Sequence, residues 1–322
     1  MPSSSSCLSY VLITPARNEG RFIEATIQSV AQQTVLPSKW VIVNDGSTDD
    51  TGMIAARYAD KFQWIEVVDL PARKERNFAA KVYAFRVGQE RLAGIDYKII
   101  GNLDADVSLD KDHFEFLVSK FAEDSDLGVA GTVFREPGYN SATDSFEGQN
   151  YVSGQCQIFR RECWEMIGGY VPSEAGGIDW MAVTTARMMG WKTRSFREKS
   201  FYHHRILGTA NHGRIGKSFA YGKKDYYMGG HPLWEVFRCS YQILKPPYLI
   251  GGAMLFAGYF SALLIGEKRV VSKDLMRFHR AEQLMKLKAI LASLIRFKRI
   301  DSFGLLPVAQ ATHRPQRSAD HR

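Results

Sequence analysis

Apolar residues in the first hundred positions come in short runs separated by amphipathic stretches. Tyr10-Val-Leu-Ile-Thr14, Trp40-Val-Ile-Val43, Ile65-Glu-Val-Val68 and Tyr97-Lys-Ile-Ile100 have strand length, and Pro15 is expected to end the first. Between them, Glu24 to Gln32 places Ile27 and Val30, with Ile23 just before, at helical spacing. Ser47 and Thr48 offer capping chemistry ahead of a helix over Met53 to Tyr58, and a basic, Ala-rich helix is predicted from about Lys74 to Leu92. Strands alternating with helices of these lengths predict βαβ units, a mainly parallel sheet and helices on both its faces.

Beyond Asp106 the pattern loosens. Leu127 to Phe134 and Gln155 to Phe159 read as strands, and Ile178 to Met189 as a helix stopped by Gly190. Pro246 to Gly266 is an unbroken run of 21 uncharged residues. A bilayer is crossed by about 20 apolar residues, so the length permits one span; a hairpin, an in-plane interfacial helix and a buried core helix are the other forms open to it. Its glycines at 251, 252 and 258 are common within membranes, and Lys268 and Arg269 follow as on a cytoplasmic flank. The expected organisation is a disordered tail over 1–9, a catalytic domain over 10–230 with halves 10–106 and 107–230, a helical extension over 231–300 and a basic tail over 301–322.

Composition supports a large core, with 45% hydrophobic residues in 322. Thirteen of the 42 Lys and Arg, against 5 of the 34 acids, fall from Glu267 to Arg322, so the formal charge of +8 sits there and the preceding body is neutral. A basic tail suits an anionic surface, membrane or nucleic acid, or is simply a solvated helix face. If the body is an enzyme, truncation from Glu267 is expected to spare its activity. Cys7, Cys156, Cys163 and Cys239 show neither CxxC pairing nor zinc-type His spacing and read as reduced thiols of a cytosolic protein. Met1 to Ser9 has neither the basic start nor the apolar core of a signal peptide.

Four acidic stations carry the candidate chemistry: Asn18-Glu19, Asn44-Asp45-Gly46-Ser47, Asp104-Ala105-Asp106 and Asp179. The first three stand where apolar runs end, the place where an open α/β sheet gathers ligand groups. Asp104 and Asp106, two apart on a turn that Gly101 and Asn102 would loosen, can share one hard cation that bridges phosphates. Asp45 and Ser47 are turn and capping residues, and Asp45 is also placed to accept from a pyrimidine imide. Glu19 is equally a first-turn acid favoured by the helix dipole, and Asp179 equally a helix cap.

In joint order and spacing, Pro15-Ala-Arg-Asn-Glu19, Ser29-Val30 with Gln33, Val41-Ile-Val-Asn-Asp-Gly-Ser-Thr-Asp49 with Thr51, and Leu103-Asp-Ala-Asp106 resemble the family 2 glycosyltransferases of GT-A fold. The resemblance covers about residues 10 to 205. It implies an α/β, Rossmann-like nucleotide-diphospho-sugar transferase fold and inverting, metal-dependent transfer from a nucleotide-diphosphate sugar. It places Pro15, Ala16, Asn18, Glu19, Asp45 and Ser47 at the donor nucleotide, Asp106 on Mn2+ or Mg2+, and Asp104 on ribose or metal. Val152-Ser-Gly-Gln-Cys-Gln-Ile-Phe-Arg-Arg161 and Ile167-Gly-Gly-Tyr170 are similar to the family's acceptor side, and Asp179 matches its general base. Ile178 stands where the family usually has a second acid, and Arg86 departs from the Ala-x-Asn-x-Gly pattern.

No Gln-x-x-Arg-Trp motif of processive synthases occurs, so a single addition is expected. Within Tyr202-His203-His204-Arg205, His204 is the candidate third metal ligand; a His pair on the core, or one binding phosphate, is the alternative. The expected acceptor is a saccharide, lipid-linked at the cytoplasmic face of the cell membrane, in polysaccharide or glycolipid synthesis, and nucleic acid is not expected as a partner. A polyprenyl-phosphate sugar synthase, a nucleotidyltransferase and a basic-tail binding module are the competing functions.

Overall fold

The computed structural model describes residues 8–72, 79–144, 148–205, 214–245 and 247–296. Tail residues 1–7, the expected helix start at Lys74 and the basic tail 301–322 lie outside the described residues. Strands β1 (Tyr10–Ala16), β2 (Lys39–Asp45), β3 (Ile65–Leu70) and β4 (Ile99–Leu103) alternate with helices α1 (Ile23–Ala31), α2 (Thr51–Ala59) and α3 (Ala79–Glu90). These four strands pair in parallel, as the alternation predicts. Next come β5 (Val107–Ser108), α4 (His113–Glu123), β6 (Leu127–Glu136), β7 (Tyr139–Asn140), α5 (Ser141–Asp144), β8 (Cys156–Arg160), α6 (Arg161–Ile167), α7 (Ile178–Met188) and β9 (Lys192–His203). The sheet order is β3-β2-β1-β4-β8-β6-β9-β5, with β7 on β6. Since β8 runs antiparallel to both β4 and β6, the second half makes the sheet mixed.

Both faces of the sheet are buried, and the alternation of side chains explains how. Tyr10, Leu12, Trp40 and Ile42 pack with Ile23 and Ile27 of α1 and Phe114 of α4. Their neighbours Val11, Ile13, Val41 and Val43 pack with Val82 and Phe85 of α3 and Trp164 of α6.

Two local expectations are corrected. Pro15 does not end its strand: it pairs with Val43, and Ala16 with Asn44. The fixed φ of proline suits extended backbone, and the β1–β4 ladder has already closed at Ile13 and Asn102, so this stretch of β1 has one ladder to satisfy. Nor do Gly101 and Asn102 loosen a turn; both are buried inside β4. A side chain on Gly101 would press on Ile158 at 2.5 Å and Leu12 at 2.8 Å, so glycine lets the neighbours pack.

Four helices follow: α8 (Arg214–Tyr227), α9 (Pro232–Ile243), α10 (Ile250–Ile265) and α11 (Lys273–Arg296). The uncharged run forms α10, whose 16 residues rise about 24 Å against a hydrocarbon core of about 30 Å. Among the described residues no helix is long and apolar enough to cross a membrane, which removes the single-span form. Instead α10 packs on α8 and α9. Leu255, Tyr259 and Ala262 are buried, and Phe256, Leu264 and Ile265 are exposed.

The glycines serve this packing. A methyl on Gly222 of α8 would overlap the Leu255 carbonyl oxygen, and one on Gly258 of α10 would overlap that of Phe219. Gly258→Ala is therefore expected to destabilise the protein by about 1–3 kcal/mol, as overpacking does. Thermal unfolding at the native temperature would refute so close a helix contact.

Candidate active site

The loops after β1 and β2 are stitched together by their own polar groups. Asn18, a non-glycine residue at φ 55°, accepts on its Oδ1 from the Thr48 N–H at 2.9 Å and donates its N–H to Ser47 Oγ at 3.0 Å. The N–H groups of Glu19 and Gly20 donate to Thr51 Oγ1 at 2.7 Å and Asp49 Oδ2 at 2.9 Å. Burial pushes the Asp49 carboxyl up, but hydrogen bonds from Thr51 and Gly20 outweigh it and hold the carboxyl below its ordinary range. Pro15 and Ala16 line the end of β1, and Asp45 closes β2 as a buried carboxyl. Gly46 has φ 63°, and a side chain there would strike Pro71 and Ala72. The residues of the first two stations thus form one braced surface.

The third station lies beside it. Thr26 of α1 fixes the loop: its hydroxyl is 2.8 Å from the carbonyl oxygens of both Ala105 and Val107 and accepts from the Val107 N–H at 3.1 Å. Asp104 takes Lys81 Nζ at 2.5 Å and Asn102 Nδ2 at 3.1 Å. Burial raises the Asp104 carboxyl above its ordinary pKa, with Lys81 opposing and the Asp106 charge adding. Burial alone would lower Lys81, but Asp104 overrides it and raises the ammonium pKa.

Asp106 faces His203 Nε2 at 3.3 Å and Arg205 Nε at 3.3 Å. Against burial, these two partners hold its carboxyl below the ordinary range. His203 Nδ1 meets Glu136 Oε1 at 3.1 Å, and Arg205 also pairs with Glu19. Glu19 is pushed up to about 7 by burial and then by the Asp106 charge, with Arg205 opposing.

The histidine expectation is corrected in position. His204 turns its Nε2 to Ser108 Oγ at 2.7 Å and stacks on Phe22, so it is His203 that lies on Asp106. β9 ends at His203, so His204 lies just past the strand, and its ring goes to Ser108 and Phe22 instead. Among the described residues no three His, Cys, Asp or Glu side chains are gathered closely enough to hold a metal ion.

Asp179 sits in the first turn of α7 after Gly177, whose φ of 74° turns the chain into the helix. Its Oδ2 accepts from the Tyr151 hydroxyl at 2.7 Å. Gly154 packs so closely that a side chain there would meet the Asp179 side chain at 2.8 Å. The Gly154 carbonyl in turn accepts from Asn102 Nδ2 at 2.5 Å. One amide thus touches Asp104 and the loop against Asp179, bringing the third and fourth stations to one end of the sheet.

Comparison with known proteins places this arrangement. The sequence profile described as Glycosyl transferase family 2 matches residues 11–166. Residues 11–166 resemble this family. Over 122 residues it is 32% identical to 4,4'-diaponeurosporenoate glycosyltransferase of Staphylococcus aureus, a match covering 38% of this chain and 30% of the relative's length. The mannosyltransferase PcManGT of Pyrobaculum calidifontis, solved with GDP-Man and Mn2+, superposes with a TM-score of 0.55 at 18% identity, over 91% of this chain and 80% of that one. Staphylococcus aureus TarS 1–349, solved with UDP-GlcNAc, gives 0.52 at 14%, over 84% and 78%. At these identities the likeness shows the fold, which is GT-A.

The family match ends at Met166, so the placement of Asp179 rests on the contacts above. Ile178, at the position of the missing acid, is buried in the core with Met181 and Trp164. Sequence reasoning passed over Lys81, Thr26 and Tyr151, gave Asn102 only a turn role and named His203 only as part of a His pair. Lys81 had a signal: it precedes Phe85 and Gly88 by four and seven residues, on the face of α3 that turns inward. Tyr151, on a loop, had none.

Folding raises the Glu19 pKa from 4.5 to about 7, so between these values the folded chain holds a proton that the unfolded chain releases. The stability this group contributes is present below 4.5 and lost as pH rises toward about 7. Glu19→Gln is expected to flatten that part of the Tm–pH curve. Parallel wild-type and variant curves across the window would exclude the raised pKa.

Proposed function

We propose that the protein is an inverting glycosyltransferase that moves one sugar from a nucleotide-diphosphate sugar to an acceptor hydroxyl. The observation that carries this reading is the Asn102 bridge, which seats the Asp104–Asp106 pair beside Asp179. In this reading the end of β1 and Asp45 bind the nucleoside, with the Asn18–Ser47 ties holding the two loops in register. Asp179 takes the proton from the acceptor hydroxyl as its oxygen attacks the anomeric carbon, and the sugar inverts. The family resemblance favours this over nucleotidyl transfer or a binding module.

The donor set suits a divalent cation. Asp106 and Asp104 offer hard oxygens, and His203 presents Nε2 on the same carboxylate with its other nitrogen oriented by Glu136. As they stand these side chains do not converge on one ion, so Asp106 and Asp104 would hold Mn2+ or Mg2+ only after rearranging away from Arg205 and Lys81, which are paired with them here. The bound ion offsets charge on the leaving diphosphate as a Lewis acid.

For the acceptor, the reading is a lipid-linked saccharide at the cytoplasmic face of the membrane. It is supported by the surface of α10, where Phe256, Leu264 and Ile265 are exposed on a helix without a single charge, and by exposed Tyr248, Leu249 and Ile250 at its start. Apolar surface of this kind, flanked by Lys245 and Lys268, suits the interface of an anionic bilayer.

The ligands of the structural neighbours set a donor panel of GDP-mannose and UDP-GlcNAc, with UDP-glucose and dTDP-glucose added. With Mn2+, at least one donor should raise the unfolding temperature. Asp179→Asn is expected to keep that shift while turnover falls about 10²–10⁴-fold; near-native turnover would remove Asp179 as base. In flotation, full-length protein should rise with anionic vesicles and Leu264→Glu should weaken this. Wild-type protein left at the bottom of the gradient would end the membrane reading.

A further inference from the structure

The C-terminal helix α11 reaches the neighbourhood of Asp179 through buried polar groups. Glu282 of α11 accepts from Arg187 of α7 through two bonds, Nε at 2.7 Å and Nη2 at 2.9 Å, with both side chains buried. Arg187 Nη1 donates onward to the Asn150 carbonyl oxygen at 3.0 Å, which also receives the Thr193 hydroxyl at 2.6 Å. The next residue, Tyr151, donates its hydroxyl to Asp179 Oδ2. On the other side of this short loop, Gln157 Nε2 holds the Val152 carbonyl at 2.8 Å, and Gln157 is itself fixed by the Tyr170 hydroxyl at 2.7 Å. A second contact joins the same helices, where His279 of α11 meets Trp180 edge to face at 4.6 Å.

We propose that α11 positions the candidate base, with Glu282 and Arg187 anchoring the Asn150 carbonyl so that Tyr151 holds the Asp179 carboxylate in one rotamer. The proposal rests on the reading of Asp179 as general base. Stability alone gives little reason for the ion pair, because a buried pair replaced by apolar residues of like volume is often as stable or more so. What a two-point Arg–carboxylate contact adds is a fixed direction, here handed to a backbone carbonyl one residue from Tyr151. Tyr151 engages Oδ2, which sets where Oδ1 points. A base misplaced by a fraction of an ångström loses rate without losing donor affinity. The C-terminal helices thereby belong to the catalytic apparatus, and the expectation that truncation from Glu267 spares activity is replaced by loss of turnover.

The test uses the full chain, Mn2+ and whichever panel donor is hydrolysed, with water as acceptor. Tyr151→Phe and Glu282→Gln are each expected to lower kcat about tenfold with donor KM within about twofold. Because both act on one carboxylate, the double variant should be no slower than the slower single. A merely structural role would give independent losses that multiply, and that result overturns the proposal, as does native kcat in both singles. Should Glu282→Gln fail to fold, Thr193→Val, which removes the other donor to the Asn150 carbonyl, takes its place with the same expected outcomes. Asp179→Asn separates the two ideas. If that variant turns over normally, the base reading falls and this proposal with it; if it is inactive while the Tyr151 and Glu282 variants are native, only the positioning proposal falls.

Discussion

Everything at this end of the sheet depends on compensating carboxylates that folding forces together. Glu19, Asp104, Asp106 and Glu136 come from separate segments and share a partly dehydrated crevice, where like charges repel strongly. Their balance comes from elsewhere in the chain: Lys81 from α3, His203 from β9 and Arg205 just after it. The sheet can therefore be completed only when its last strand arrives. The balance is also incomplete, since Glu19 still favours a proton near neutral pH.

The second dependence is geometric. A wholly parallel sheet would place Asp104 and Asp106 at the strand ends with nothing opposite them. The antiparallel β8 starts at that end, with Cys156 beside Leu103, so the loop 150–154 that precedes it lies against Asp179. Asn102 and Gly154 can meet because one is a buried strand residue and the other has no side chain to intervene. The change of strand direction thus brings a second loop to the end of the sheet where Asp104 and Asp106 lie.

The donor half was legible because its signals are local. Apolar runs of strand length and the Gly46 turn each report on a few neighbours, and the structure places them as expected apart from the extent of β1 and the interior of β4; Ser47 and Thr48 do not cap α2, whose N-cap is Asp50, but tie to Asn18 instead. The rest was hidden for physical reasons. His203 is the last residue of β9 and His204 the first beyond it, a boundary that composition does not mark. The Tyr151–Asp179 contact joins residues 28 apart and Arg187–Glu282 residues 95 apart, through packing that no periodicity encodes. For α10, an uncharged run fitted a membrane and a glycine-lined helix seam equally well, and its length against the bilayer removed only the spanning form.

Thr26 carries a consequence of its own. A threonine hydroxyl owns a single proton, yet two carbonyl oxygens, those of Ala105 and Val107, lie at the same 2.8 Å from it. The two oxygens alternate as its acceptor or share it in a three-centre bond. The segment bearing Asp104 and Asp106 is therefore poised between two equivalent bonding patterns that differ by the swing of one O–H. Such a loop can shift its carbonyl polarity beneath the carboxylates without moving a heavy atom, a degree of freedom set by one side chain on the opposite helix.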